Sequence, residues 1–185
     1  MPTSRARVII DIVAEQILSD ALAAGVIPES FREALDFSSG TSDGSIDLVY
    51  GKSESGIAAS TTTSYDLSSS LKNRLGQAVV FAEVCLIAIR NKRTTALAWV
   101  QIGPHATAGF GAVASNKGFW GAALGSGGGN YVGPALTTGQ NGWAVFHDPT
   151  GVPVTATTAD ILATITSGVS GSTNAYDLLI LGRSA

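Results

Sequence analysis

A chain of 185 residues with 45% apolar residues is long enough to bury a core, and it fits one domain with an appendage better than two full domains. Only 14% of its residues are charged, against roughly 25% in an average soluble domain, and a net charge of -3 supplies no basic field of the kind nucleic-acid binders use. Acids outnumber bases by 9 to 4 over residues 1–54 and bases outnumber acids by 7 to 5 beyond them, so an acidic front precedes a slightly basic body, which suits two different surroundings or head-to-tail contact between copies.

The first predicted element runs from Ser4 to Ala24, free of Pro and Gly until Gly25 and Pro28, and reads as an α-helix. Ile10, Val13, Ile17, Ala21 and Ala24 recur at helical spacing, yet Val8, Ile9, Ile12, Leu18 and Leu22 fall around the rest of the circumference. Such a helix needs cover on most sides, from its own domain or from neighbouring chains, which makes Ile10, Val13 and Ile17 candidate docking residues. A second short helix is expected at 29-ESFREALDF-37, with Glu29 in the first turn where the macrodipole favours acids. Asp11 and Glu15 interrupt 8-VIIDIVAEQIL-18, so neither a signal peptide nor a membrane span is expected there. The turn-rich 38-SSGTSDGS-45 then separates an N-terminal helical arm, residues 1–40, from a β domain, residues 41–185.

From Ser45 onward short runs rich in Val, Ile, Thr and aromatic residues predict strands at 45–51, 57–67, 78–91, 95–103, 130–136, 142–148, 159–166 and 174–182. With no helical crossover between them, they point to a mainly β chain, an antiparallel β-sandwich or jelly-roll-like body behind the N-terminal α-helical segment. In 81-FAEVCLIAIR-90 strict alternation places Phe81, Glu83, Cys85, Ile87 and Ile89 on one side and Ala82, Val84, Leu86, Ala88 and Arg90 on the other; both sides are largely apolar, as in a central strand covered twice. Cys85 has no second cysteine to pair with and is expected to be a buried, inert thiol. The interval from Gly103 to Gly129 holds nine glycines and reads as a long excursion of little regular structure, the usual setting of an interaction surface.

Motifs that would carry catalysis fail on their chemistry. The run 125-GSGGGN-130 has no Lys-Ser/Thr pair and leads into a strand-like segment, so it lacks the helix N-terminus on which a phosphate rests. Ser126 has Leu124 where a nucleophile elbow requires Gly. His105 and His147 stand far apart without metal-ligand spacing, so no metal and no cofactor are expected; His147 beside Asp148 is at most a dyad, and 148-DPTG-151 is strong turn chemistry. Phe110, Phe119, Trp120, Tyr131 and Trp143 are able to line a sugar shelf or to serve as core and interface anchors. Phe119, Trp120 and Tyr131 sit among the glycines as anchors of an adaptable loop. Arg90, Lys92 and Arg93 form a compact basic turn suited to an acidic partner surface.

The stretch 66-DLSSSLKNRLGQAVVFAEVCLIAIRNKRTTAL-97, a glycine-rich interval and then 142-GWAVFHDPTGVPVTATTADILATITSGVSGSTNAYDLLILGRSA-185 resemble small virion structural proteins of tailed bacteriophages, of the capsid cement or decoration type. Phe81 to Asn91, Thr158 to Leu162 and Tyr176 to Gly182 carry the resemblance, which covers about 120 residues and excludes the front from Ser4 to Phe37. The resemblance implies a non-enzymatic component of the outer capsid surface, made in a host cytoplasm, with the major capsid protein as partner and a homo-oligomer, trimer favoured over dimer, as working form. It implies no catalytic residue, no nucleic acid and no membrane. The alternative from another class is a glycan- or receptor-binding β-sandwich module of a phage tail or head fibre.

Overall fold

The computed structural model describes residues 6–20, 23–69, 71–93, 99–105, 110, 136–139, 141–155, 161–166 and 173–185. In chain order its strands are β1 (Ala6–Asp20), β2 (Ala23–Ser39), β3 (Ser45–Ile46), β4 (Leu48–Ile57), β5 (Thr62–Asp66), β6 (Leu71–Lys72) and β7 (Ala78–Val79). There follow β8 (Glu83–Asn91), β9 (Val100–Pro104), β10 (Leu136–Thr138), β11 (Trp143–Pro153), β12 (Ile161–Thr166) and β13 (Asn174–Arg183). The described residues are mainly β and contain no helix. Two four-stranded antiparallel sheets, in the orders β11-β8-β13-β4 and β10-β9-β12-β5, form the body; β6 and β7 make a small hairpin.

The expected helices of the arm are not formed. Ala6–Asp20 and Ala23–Ser39 are instead the two strands of a hairpin, with Ala6 opposite Phe37 and Asp20 opposite Ala23. Val8, Ile9, Ile10, Ile12, Val13 and Ile17 are β-branched; they lose side-chain freedom in a helix and suit a pleated surface. Ile10, Val13 and Ile17, one stripe on a helix, all lie in β1, opposite Glu33, Ser30 and Val26, and their side chains are outside the described residues. Pro28, which donates no ladder hydrogen bond, is tolerated because β2 has no second strand neighbour at that position among the described residues. Among the described residues β2 gains one further partner, β3, in a short parallel contact at Ser38–Ser39.

One apolar core draws on both four-stranded sheets. Tyr50, Val84, Ile87, Ile89, Tyr176, Leu178 and Ile180 from the first meet Tyr65, Val100 and Ile102 from the second, with Leu71, Val79, Phe81 and Phe110 closing the ends. Across this core the hydroxyls of Tyr65 on β5 and Tyr176 on β13 stand 2.6 Å apart, so a hydrogen bond joins the two sheets. Phe110 is fully buried, which makes it a core residue and removes it from the sugar shelf that the sequence allows. A second, smaller cluster lies on the outer side of the first sheet, where Leu35 and Phe37 at the base of β2 and Ile46 pack against Cys85, Leu86, Ala88, Leu179 and Leu181.

Strand β8 is buried from Val84 through Ile89, as a central strand covered on both sides should be, but its alternation breaks at one residue. Leu86 pairs with Leu181 and His147, while Val84 pairs with Gly182 and Val152, so Cys85 is an extra residue in the strand. This bulge turns Val84 to the main core with Phe81, Ile87 and Ile89 and leaves Cys85 and Leu86 together in the outer cluster. The strict alternation of 81-FAEVCLIAIR-90 is therefore corrected at Val84 and Cys85. On β11 the same irregularity is filled by 148-DPTG-151, where Asp148 Oδ1 accepts from the Thr150 N–H at 3.0 Å and from its hydroxyl at 2.7 Å.

Candidate interaction face

The outer face of the β11-β8-β13-β4 sheet is built in three rows by strand register. Trp143, Arg90, Asp177 and Ser53 form one row; Val145, Ala88, Leu179 and Gly51 the next; His147, Leu86, Leu181 and Val49 the third. The third row is capped by the base of β2: Phe37 meets the His147 ring edge to face at 5.4 Å between centroids. The same outer cluster takes in Ala88 and Leu179 of the middle row, whereas the Trp143 row and the Val145 end of the middle row lie outside it. Trp143 is 62% exposed and Val145 37%, and at the β4 end of the third row Val49 is 40% exposed. In the middle row Ala88 is small and Gly51 has no side chain, with nothing within 4 Å of where its Cβ would stand. The result is a shallow apolar trough between Trp143 and the capped end.

The polar row closes the trough with a defined charge pattern. The Arg90 guanidinium lies over the Trp143 ring, 5.4 Å from its centroid, a cation–π contact that leaves the cation at the surface. Lys92 Nζ is 3.4 Å from Asp177 Oδ1 and donates to Ser53 Oγ at 3.1 Å. Burial works against the charged form of Asp177, but donation from Ser53 and Lys92 and the nearby positive charges of Lys92 and Arg90 outweigh it and hold the carboxyl below the usual aspartate value. Arg93 plays a different part: its N–H donates to Asn91 Oδ1 at 3.0 Å, its carbonyl accepts from Asn141 at 2.9 Å and its guanidinium donates to the Thr173 carbonyl. The three bases predicted to act together are thus divided. Arg90 and Lys92 border the trough, whereas Arg93 fastens three backbone segments. They stand at the end of β8 rather than in a free turn.

The remaining candidates are placed as follows. His147 packs against Phe37 and Asp148 caps its own turn, so each has a structural task. Cys85 is fully buried; burial chiefly, eased by Arg183 and reinforced by Glu83, Asp148 and Asp43, pushes its thiol up and keeps it unreactive. Among the described residues no group of three or more His, Cys, Asp or Glu is placed to hold a metal ion. Phe119, Trp120 and Tyr131, with the whole run from 118 to 134, lie outside the described residues.

Val145 and Val49 are missed by sequence reasoning, because a strand apolar on both faces does not say which face stays uncovered. The usable signal is 143-WAVFH-147, in which Trp143, Val145 and His147 alternate beside the basic end of β8. No family model, curated protein or solved structure matches this chain.

Proposed function

We propose that the chain is a non-enzymatic structural protein of a bacteriophage virion, a capsid cement or decoration protein that binds the outer surface of the head and stabilises the shell. Its partners are the major capsid protein and further copies of itself, with a trimer as the favoured form. The observation that carries the reading is the exposed apolar surface of Trp143, Val145 and Val49 bordered by Arg90 and Lys92, a surface suited to a protein partner, in a chain whose residues 66–97 and 142–185 resemble such proteins. The two four-stranded sheets, sharing one core and joined by the Tyr65–Tyr176 hydrogen bond, support a sandwich-type body, and the β1–β2 hairpin replaces the helical arm as the appendage. A protein of this kind acts by mass action: binding the assembled shell and not its parts, it raises the free energy needed to take the shell apart.

The test is to titrate the purified chain onto phage shells that lack it. Saturable binding with a raised temperature of shell disruption is the expected outcome, weakened in Trp143→Ala; shells that neither bind the chain nor gain heat resistance would overturn the proposal. A second reading, a glycan-binding module, is favoured by one observation, the exposed Trp143 ring with the Arg90 guanidinium over it, since sugars stack on exposed aromatic rings. Specific retention on a glycan array, lost in Trp143→Ala, would select it instead.

A further inference from the structure

The β11-β8-β13-β4 sheet ends in two strands, β11 and β4, each with a single sheet neighbour among the described residues. Antiparallel ladders alternate between residues that exchange both hydrogen bonds with the neighbouring strand and residues that turn theirs away from it. The Asn91 N–H donates to the Gly142 carbonyl at 3.0 Å and the Lys92 N–H to the Ala175 carbonyl at 2.9 Å, which fixes the phase on both sides of β8. Followed through the register, that phase turns the backbone N–H and C=O of Trp143, Val145 and His147 away from β8. By the same count Val49, Gly51 and Ser53 turn theirs away from β13. All six residues lie on the outer face of the sheet.

An open strand edge is a template for pairing, and both edges here carry exposed apolar side chains, Trp143 and Val145 at one and Val49 at the other. Strands β4 and β11 run in opposite directions, so a second copy in the same orientation brings its β4 antiparallel to β11 with the two outer faces continuous. We infer that copies of this chain join in this way, β11 of one to β4 of the next, with Trp143 opposite Gly51 and Val145 opposite Val49. Gly51 has nothing within 4 Å of where its Cβ would stand, which leaves room for the Trp143 ring. The paired stretch is bounded on both strands: the Pro149 carbonyl already accepts from the Gly44 N–H at 3.1 Å, and Gly56, at φ 70°, lies in a bulge of β4. Pairing β11 with β11 about Val145 would instead leave Val49 exposed and set Trp143 against His147, whose ring packs on Phe37. A head-to-tail contact uses both edges of each copy and repeats around a ring, three copies included. The inference rests on the homo-oligomer of the proposed function and not on the capsid.

Light scattering on the full-length protein, without shells, tests it. The wild-type chain is expected to form an oligomer of three or more copies. Val49→Lys and Val145→Lys should each weaken association by about tenfold or more, since a lysine on a strand edge opposes pairing. Mixed together, the two variants should form a complex of one copy each and grow no further, because only the native β11 of the first and the native β4 of the second remain to pair. A wild-type oligomer that either variant leaves intact, or folded variants that ignore each other on mixing, would overturn the inference alone; a monomeric wild type would overturn the homo-oligomer with it. No shell enters the measurement, so either failure is distinguishable from failure of the capsid reading. Should a variant lose its β-sheet circular dichroism, amide hydrogen exchange of the wild-type oligomer decides. The Val145 and Gly51 N–H groups are expected to exchange as slowly as those of Ala144 and Lys52, and fast exchange at Val145 and Gly51 overturns the inference.

Discussion

The two tyrosines that face each other across the core show how a polar group is kept inside an apolar layer. Tyr65 and Tyr176 are both buried, and each hydroxyl meets the other at 2.6 Å, so neither is abandoned in a medium where an unmet hydroxyl is costly. The Tyr50 ring adds an edge contact to Tyr65 at 6.2 Å. Burial first, and then the neighbouring Tyr176, push the Tyr65 phenol far above its ordinary 10.0. A group whose pKa is raised on folding contributes stability that is fully present below its unfolded value and is lost as pH rises above it. The chain should therefore lose stability from about pH 10 upward, as the phenol ionises in the unfolded chain and not in the folded one. Tyr65→Phe is expected to cost about 1 kcal/mol at neutral pH, from the lost hydrogen bond, and to flatten the alkaline limb of a stability profile measured by urea unfolding. An unchanged alkaline limb would show that Tyr65 is not the titrating group.

At the scale of the element, the bulge at Cys85 decides what β8 presents to each side. An extra residue rotates the strand by one position, so Val84 enters the main core and Cys85 passes to the outer cluster. The bulge is held by the close approach of β13: a Cβ on Gly182 would collide with the Glu83 carbonyl oxygen and stand 2.7 Å from the Phe81 ring. Gly182→Ala should accordingly cost roughly 2–3 kcal/mol by overpacking, read as a lowered urea midpoint at unchanged slope. A neutral result would mean that the two strands separate easily at this point. The hairpin teaches a complementary lesson. Its β-branched residues suit strands, yet the absence of Gly and Pro from Ser4 to Ala24 reads as a helix, because the breakers, Gly25 and Pro28, fall within β2. Pairing settles the contest, since each β1 residue gains a partner that a helix does not supply.

At the scale of the molecule, one side chain fastens segments far apart in sequence. Arg183 is 1% exposed; its Nε and Nη2 lie 2.6 Å from Glu83 Oε2, its Nη1 donates to the Ser42 carbonyl at 2.8 Å, and Nη2 also donates to the Thr150 carbonyl. Asp43 Oδ1 stands 3.5 Å from Nη1. The turn after the hairpin, the 148-DPTG-151 turn, the start of β8 and the end of β13 thus meet on a single guanidinium, whose planar fork suits several acceptors at once. Gly151, at φ 77°, belongs to the same device, since a side chain there would occupy the place of Nη2. Arg183→Met should cost about 3 kcal/mol, measured as a fall in the urea midpoint, because the Ser42 and Thr150 carbonyls each lose a donor and Glu83 loses its buried cation. A loss well under 1 kcal/mol would show that solvent replaces the guanidinium freely.

The amino-acid sequence by itself determined the β character of the body, the central burial of β8, the turn at 148-DPTG-151 and the buried thiol of Cys85. Each follows from local composition or from alternation within one segment. It also supplied the acidic front and the basic end of β8, Arg90 and Lys92. Only the tertiary structure decided that the front is a hairpin, that Cys85 interrupts the alternation, that Arg183 is buried, and that Trp143 and Val145 face outward beside Arg90. Those outcomes depend on which strands become neighbours, and pairing between residues as distant as Arg90 and Asp177 leaves no mark within either segment.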